Sequence, residues 1–245
     1  MKRFLLILLA VLSTVACKKV TPEDRIAQMA DYLASHQDIH AARLAQYDEA
    51  KRVDYLTLQL AKELEATDLW TLEAADRNSL VAEFPGNTKG DHQLSLLTAS
   101  LDDPAACAML LNILETFRDL KIRHKNDMRA IFYSTAKDST GTDGLTALNQ
   151  EMIDDGEIFA FDIALSSTAS LPGYTFIISD KRAFVERMAE VVPPYLEPLG
   201  SFQLMQGVYP DPEWPLKGPV YRYTLNGDRN QDAAAIAAFT YLLNF

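Results

Sequence analysis

The sequence predicts an α/β fold, a three-layer α/β/α sandwich around a mixed, mainly parallel sheet. Three observations carry this. Short β-rich runs recur along the chain, several apolar nearly throughout, as in strands covered on both faces. Stretches of helical period lie between them, and such alternation is the signature of a largely parallel sheet with helices on both sides. The chain has 245 residues, 48% of them hydrophobic, which suits one domain with a substantial core.

The first residues read as a targeting signal. Lys2 and Arg3 form a basic start, and Phe4 to Val15 is apolar apart from Ser13 and Thr14. About a dozen residues is too short to span a bilayer but right for the core of a signal peptide. Thr14-Val15-Ala16-Cys17 resembles the lipobox of bacterial lipoproteins, departing from it at Thr14, where that motif usually has Leu. The resemblance implies a lipidated Cys17, a membrane partner reached through the lipid, and a place in the bacterial cell envelope on its periplasmic or surface side. The alternative is an ordinary signal peptide cut near Ala16. Residues 1–16 are thus expected as signal peptide, 17–21 as a tether and 22–245 as one domain.

Charge narrows the partners. The chain carries 23 basic and 34 acidic residues; without Lys2 and Arg3 the balance is 21 to 34, a net charge of −13. Such a charge repels nucleic acid and anionic headgroups over most of the surface, so nucleic acid is not an expected partner. With Cys17 acylated, Cys107 is the remaining thiol, and an intramolecular disulfide has no second half.

Within the domain, Thr21-Pro22-Glu23-Asp24 reads as a helix start, with Thr21 as cap, Pro22 at the first helical position and acids in the first turn. Ile26, Met29 and Leu33 continue it at helical spacing. A second helix is expected from Ala42 to Glu65. Strands are expected at Ser79–Phe84, Gln93–Ala99, Met128–Thr135, Glu157–Leu165 and Tyr174–Ser179. Helices are expected at Pro104–Leu120, Gly144–Met152, Lys181–Leu199 and Asp232–Leu243. Pro193-Pro194 and the four-proline stretch Tyr209 to Pro219 read as loops.

From about Arg52 onward the order of features resembles the bi-zinc aminopeptidases of metallopeptidase family 28, which also includes glutaminyl cyclases. Arg77-Asn78-Ser79-Leu80-Val81-Ala82-Glu83-Phe84-Pro85-Gly86 is similar to that family's strand and turn before the site. Leu96 to Ala108 resembles the strand, Asp-containing turn and helix that carry its first metal ligands. Leu196-Glu197-Pro198-Leu199-Gly200 and the closing Ala-rich helix fit its later part. The resemblance implies the zinc-exopeptidase sandwich, two zinc ions bridged by a carboxylate and a water, and a Glu acting as general base.

Carried over residue by residue, the ligand set is mostly missing. The H-x-D positions fall on Thr98-Ala99-Ser100. Asp102-Asp103 matches the pair that opens the helix, with Asp102 at the bridging position. The E-E pair falls on Ala136-Lys137, and Asp162 matches the later Asp ligand. A C-terminal His would fall near Arg222 or Tyr223, but none of the four histidines (His36, His40, His92, His124) follows residue 124. No metal and no cofactor are therefore expected, although the resemblance implies zinc. Asp103 also reads as an ordinary N-cap ahead of Pro104. His36 and His40 share a helical spacing beside polar residues and read as exposed rather than metal-bound. Asp91-His92 reads as a solvated turn, His124 as part of a basic loop, and Cys107 as core. Trp70 and Trp214 read as packing rather than a ligand surface.

The sequence thus predicts an envelope lipoprotein with a degenerate, non-catalytic peptidase-like domain that binds a peptide or protein. The alternatives are an aminopeptidase-type hydrolase with a rearranged site, and a structural lipoprotein.

Overall fold

A computed structural model describes residues 20–36, 38–74, 77–87, 93–167, 174–178, 182–191, 193–196, 203–207, 220–224 and 229–243. Cys17, Asp91-His92, residues 197–200 and the four-proline stretch fall outside them. Helix α1 (Pro22–Ser35) opens as predicted: Thr21 accepts from the Asp24 amide at 3.2 Å and Asp24 accepts from the Thr21 amide at 3.2 Å, a reciprocal capping box. The expected second helix is broken in two, α2 (His40–Leu44) and α3 (Glu49–Leu58). The break follows from Asp48, whose carboxylate caps α3 at the Lys51 amide, 2.9 Å away. A π-helical turn, Gln59–Glu63, extends α3.

Eight strands form one sheet: β1 (Asp68–Ala74), β2 (Arg77–Phe84), β3 (Gln93–Ser100), β4 (Asp127–Tyr133), β5 (Ile158–Ser166), β6 (Tyr174–Ile178), β7 (Gln203–Gly207) and β8 (Val220–Thr224). Their spatial order is β1-β2-β4-β3-β5-β8-β6-β7. The centre, β4-β3-β5-β8, is parallel; β1-β2, β2-β4 and β8-β6 are antiparallel. The remaining helices are α4 (Pro104–Asp119), α5 (Gly144–Asp154), α6 (Arg182–Val191), α7 (Pro193–Leu196) and α8 (Arg229–Leu243). Pro193-Pro194, expected in a loop, opens α7, because proline lacks only an amide that the first helical turn leaves unpaired anyway.

Alternation along the central strands assigns the layers. Leu97 and Ala99 of β3, Ala130 and Phe132 of β4, and Phe161, Ile163 and Leu165 of β5 join the core shared with α1 to α4 and α8. Leu94, Leu96 and Ile131 point the other way, onto Leu145, Leu148 and Met152 of α5. Helix α4 is buried from Ala106 to Phe117 on every side, as befits a helix between the sheet and an outer helical layer.

Candidate functional site

Parallel strands β3, β4 and β5 bring their carboxyl ends to one edge of the sheet, the usual location of sites in such folds. On β3, Thr98 and Ser100 lie on the α5 side, two residues apart. Thr98 is fully buried, and its hydroxyl donates to Oδ2 of Asp162 at 3.5 Å; Asp162 is 1% exposed. One step up, the Ser100 hydroxyl accepts from the Asp102 amide at 3.1 Å. The carboxylate of Asp102 is exposed and accepts a hydrogen bond from the Thr135 hydroxyl, in the loop that follows β4. That loop continues through half-buried Ala136 to exposed Lys137. A polar seam thus runs from a buried floor, Thr98 and Asp162, to an open rim formed by Asp102, Thr135 and Lys137.

Two expectations need adjustment. The resemblance places Asp162 at the carboxyl end of its strand, beside Asp102. It lies in mid-strand instead, its Cα paired with Leu96, because β5 runs on to Ser166 in register with β8. The rim is about four residues further along, roughly 13 Å at the rise of an extended strand. Asp103 does cap α4, with Oδ1 accepting from the Ala106 amide at 3.0 Å. Its carboxylate also takes the Ser167 amide at 2.6 Å and the Ser167 hydroxyl at 2.6 Å, tying the end of β5 to the start of α4. Sequence reasoning supplied the cap and missed the tie, for which the sequence holds no local signal.

The backbone around the rim is fixed by neighbours. Arg52 of α3 donates from Nη1 to the Leu101 carbonyl at 2.6 Å and from Nε to the Leu44 carbonyl at 3.1 Å. Cys107 donates its thiol to the Ser100 carbonyl at 3.1 Å; burial pushes its pKa far up, so it is a core residue and not a nucleophile. Asp138 accepts from the amides of Thr140 and Thr142 and from the Thr140 hydroxyl. The hydroxyl-rich stretch after it is therefore a self-bonded turn leading to the Asp143 cap of α5.

The histidines are a correction. His40 is fully buried, not exposed: Nδ1 lies 2.8 Å from the Tyr55 hydroxyl and Nε2 lies 2.9 Å from Oε1 of Glu115. His36 meets the other oxygen of the same carboxylate at 3.1 Å. Burial pushes the Glu115 carboxyl upward, but its bond to His40 and the charges of His40, His36 and Arg118 outweigh this and hold it below the usual range. His124 also proves buried, edge-on to Phe117 at 4.8 Å, and desolvation lowers its pKa to about 4. Trp70 packs as expected, under the Arg129 guanidinium at 5.2 Å. Trp214 and the His92 turn lie outside the described residues. Among the described residues, no group of three or more His, Cys, Asp or Glu side chains is arranged to hold a metal ion.

Comparison with known proteins places the architecture. The fold is that of the zinc-dependent exopeptidases, M28 peptidases and glutaminyl cyclases. A Bacteroides vulgatus structure described as a Zn-dependent exopeptidase superposes with a TM-score of 0.63 at 13% identity, over 88% of this chain and 96% of its own. The glutaminyl cyclase of Tannerella forsythia gives 0.57 at 13% identity, over 92% and 99%. The LapA aminopeptidase of Legionella pneumophila gives 0.56 at 13%, over 93% and 73%. No protein-family model and no curated protein matches the sequence. At this identity the likeness establishes the fold.

Proposed function

We propose that this chain is an envelope-anchored lipoprotein that keeps the zinc-exopeptidase sandwich without its catalysis and binds a peptide or protein partner at the rim of the seam. The donor set carries this reading. At the positions that the family's pattern gives to metal ligands and base stand Thr98, Ser100, Asp102, Ala136, Lys137 and Asp162. These supply two carboxylates separated along the strand direction, two hydroxyls, a methyl group and an ammonium. Such a set does not fit two zinc ions, which take His and carboxylate ligands, and Lys137 adds a cation beside the rim. No step is routed through a metal here. Exposed Asp102, with the Ser100 and Thr135 hydroxyls next to it, suits a cationic end group such as a peptide amino terminus.

Metal analysis of the mature protein together with an aminopeptidase assay tests the first half. The expected result is neither stoichiometric zinc nor release of amino-terminal residues. Ala136→Glu with Lys137→Glu should not restore activity, because Thr98, Ser100 and the missing C-terminal His still leave both ions under-coordinated. Close to two zinc ions per chain, or a peptidase activity abolished by a chelator, would replace this reading with the rearranged hydrolase. Peptides with free and acetylated amino termini test the second half. Preference for the free amine, lost in Asp102→Asn, supports it; equal or absent binding favours the structural lipoprotein.

A further inference from the structure

The end of the sheet opposite the rim carries a second feature. Between α4 and β4, residues 121–125 alternate strictly: Lys121, Arg123 and Lys125 are exposed, whereas Ile122 and His124 are buried. Ile122 enters the main core and His124 lies against Phe117, so the strap is pinned from inside at both even positions. It is pinned along its backbone as well. The His124 carbonyl accepts from the Asn87 amide at 2.9 Å, and Asp127 accepts from the Gly86 amide at 2.6 Å. Gly86 sits so close to Asn126 that a Cβ there would come within 2.5 Å of its carbonyl carbon. Three cations are thereby held on the outer side of one rigid segment, within about 13 Å of one another at the rise of extended chain.

The nearest acids are engaged elsewhere. Asp119 takes Arg118 at 2.6 Å and the Tyr32 hydroxyl at 2.5 Å, and Glu115 takes His36 and His40. The molecule as a whole is strongly acidic, but charges more than about 8 Å away are largely screened at physiological ionic strength. At close range the strap presents a positive surface.

We infer that this strap, Lys121 to Lys125, docks on anionic phospholipid headgroups and turns the open rim of the seam away from the bilayer. Lipid is favoured over other polyanions by the route of the chain. Thr21 caps α1 directly, so an acylated Cys17 would leave five residues of tether, at most about 17 Å. The far end of α1 is fastened beside the strap by Tyr32 to Asp119 and His36 to Glu115. A helix of 14 residues, about 21 Å long, therefore joins tether and strap. This orientation rests on the lipoprotein reading; the attraction to headgroups does not.

Sedimentation with vesicles tests the attraction on a chain that begins at Lys18, which retains every described residue and no anchor. One vesicle is pure phosphatidylcholine and the other contains phosphatidylglycerol at about one third. At low salt, binding to the anionic vesicle should be about tenfold to a hundredfold stronger, as expected for three surface cations, and should fade at high salt. K121E/R123E/K125E should abolish the preference, and the milder K121Q/R123Q/K125Q should weaken it while unfolding at the wild-type temperature. K51E/R182E/R187E changes the net charge equally and should keep the preference. No preference for the anionic vesicle, or equal loss in that control, overturns the inference. Acylation is read separately, from the mass of Cys17 in membrane-extracted protein, so the lipid anchor and the strap fail independently.

Discussion

Asp103 concentrates more structure than any other polar residue of the rim. Its carboxylate satisfies the Ala106 amide of a buried helix end and both donors of Ser167. Asp103→Ala should cost about 1–3 kcal/mol, combining a lost cap with newly unpaired donors. Asp103→Asn, which keeps acceptor capacity on one oxygen, should cost less. Urea unfolding measures both, and a change within about 0.5 kcal/mol for the alanine variant would show that the tie carries no weight. His124 sets a pH dependence. Its folded pKa, about 4, lies below the ordinary 6.5 because burial disfavours the charged ring. The unfolded chain thus binds the proton more readily, so stability is full above pH 6.5 and falls as the pH drops toward 4. A shift of this size corresponds to about 3 kcal/mol. Glu115, held below its usual value, contributes in the same sense at still lower pH. His124→Leu should flatten the stability curve between pH 6.5 and 4; an unchanged slope would place the titration elsewhere.

At the scale of elements, the start of α5 shows how closely the layers meet. A Cβ on Gly144 would stand 2.0 Å from Oγ of Ser79, while Ser79 accepts from the Ser134 amide at 3.1 Å and Gly144 donates to the Ser134 carbonyl at 3.0 Å. Gly144→Ala should therefore destabilise by about 1–3 kcal/mol through overpacking. Ser79→Ala should relieve part of that in the double variant; simple additivity in thermal unfolding would contradict the contact. The same scale explains what the sequence made legible. Strands β2 to β6 were readable because they are compact β-rich runs, and α4 because Asp103-Pro104 marks its start. Strand β1 (Asp68–Ala74) went unread because it is a mixed polar edge strand, and β7 and β8 because five-residue strands such as Gln203–Gly207 hardly differ from loops. Of the candidate site, the positions on β3 and the α4 cap followed from local pattern. The burial of His40 did not, since the Glu115 that pairs with it lies 75 residues away.

At the scale of the whole molecule, membrane attachment makes a direct prediction: mass spectrometry of the mature amino terminus should show an acylated Cys17. A Cys17→Ala protein that is still processed and still pellets with membranes would count against it. The order of strands has a separate consequence, in time rather than in space. Pairs β1-β2, β2-β4 and β4-β3 lie within one stretch of chain, residues 68–133, together with α4. The parallel pair β5-β8 instead joins Asp162 to Val220 across a long excursion that contains β6, α6, α7 and β7. Contacts between distant residues require larger loops to close and form more slowly. A chain threading outward from its amino terminus therefore assembles one flank of the sheet first, with Thr98 laid along an unfinished edge. Its hydroxyl meets Asp162 only when β5 arrives, so the floor of the seam is among the last parts of the molecule to exist, and a half-made domain has no floor with which to bind anything.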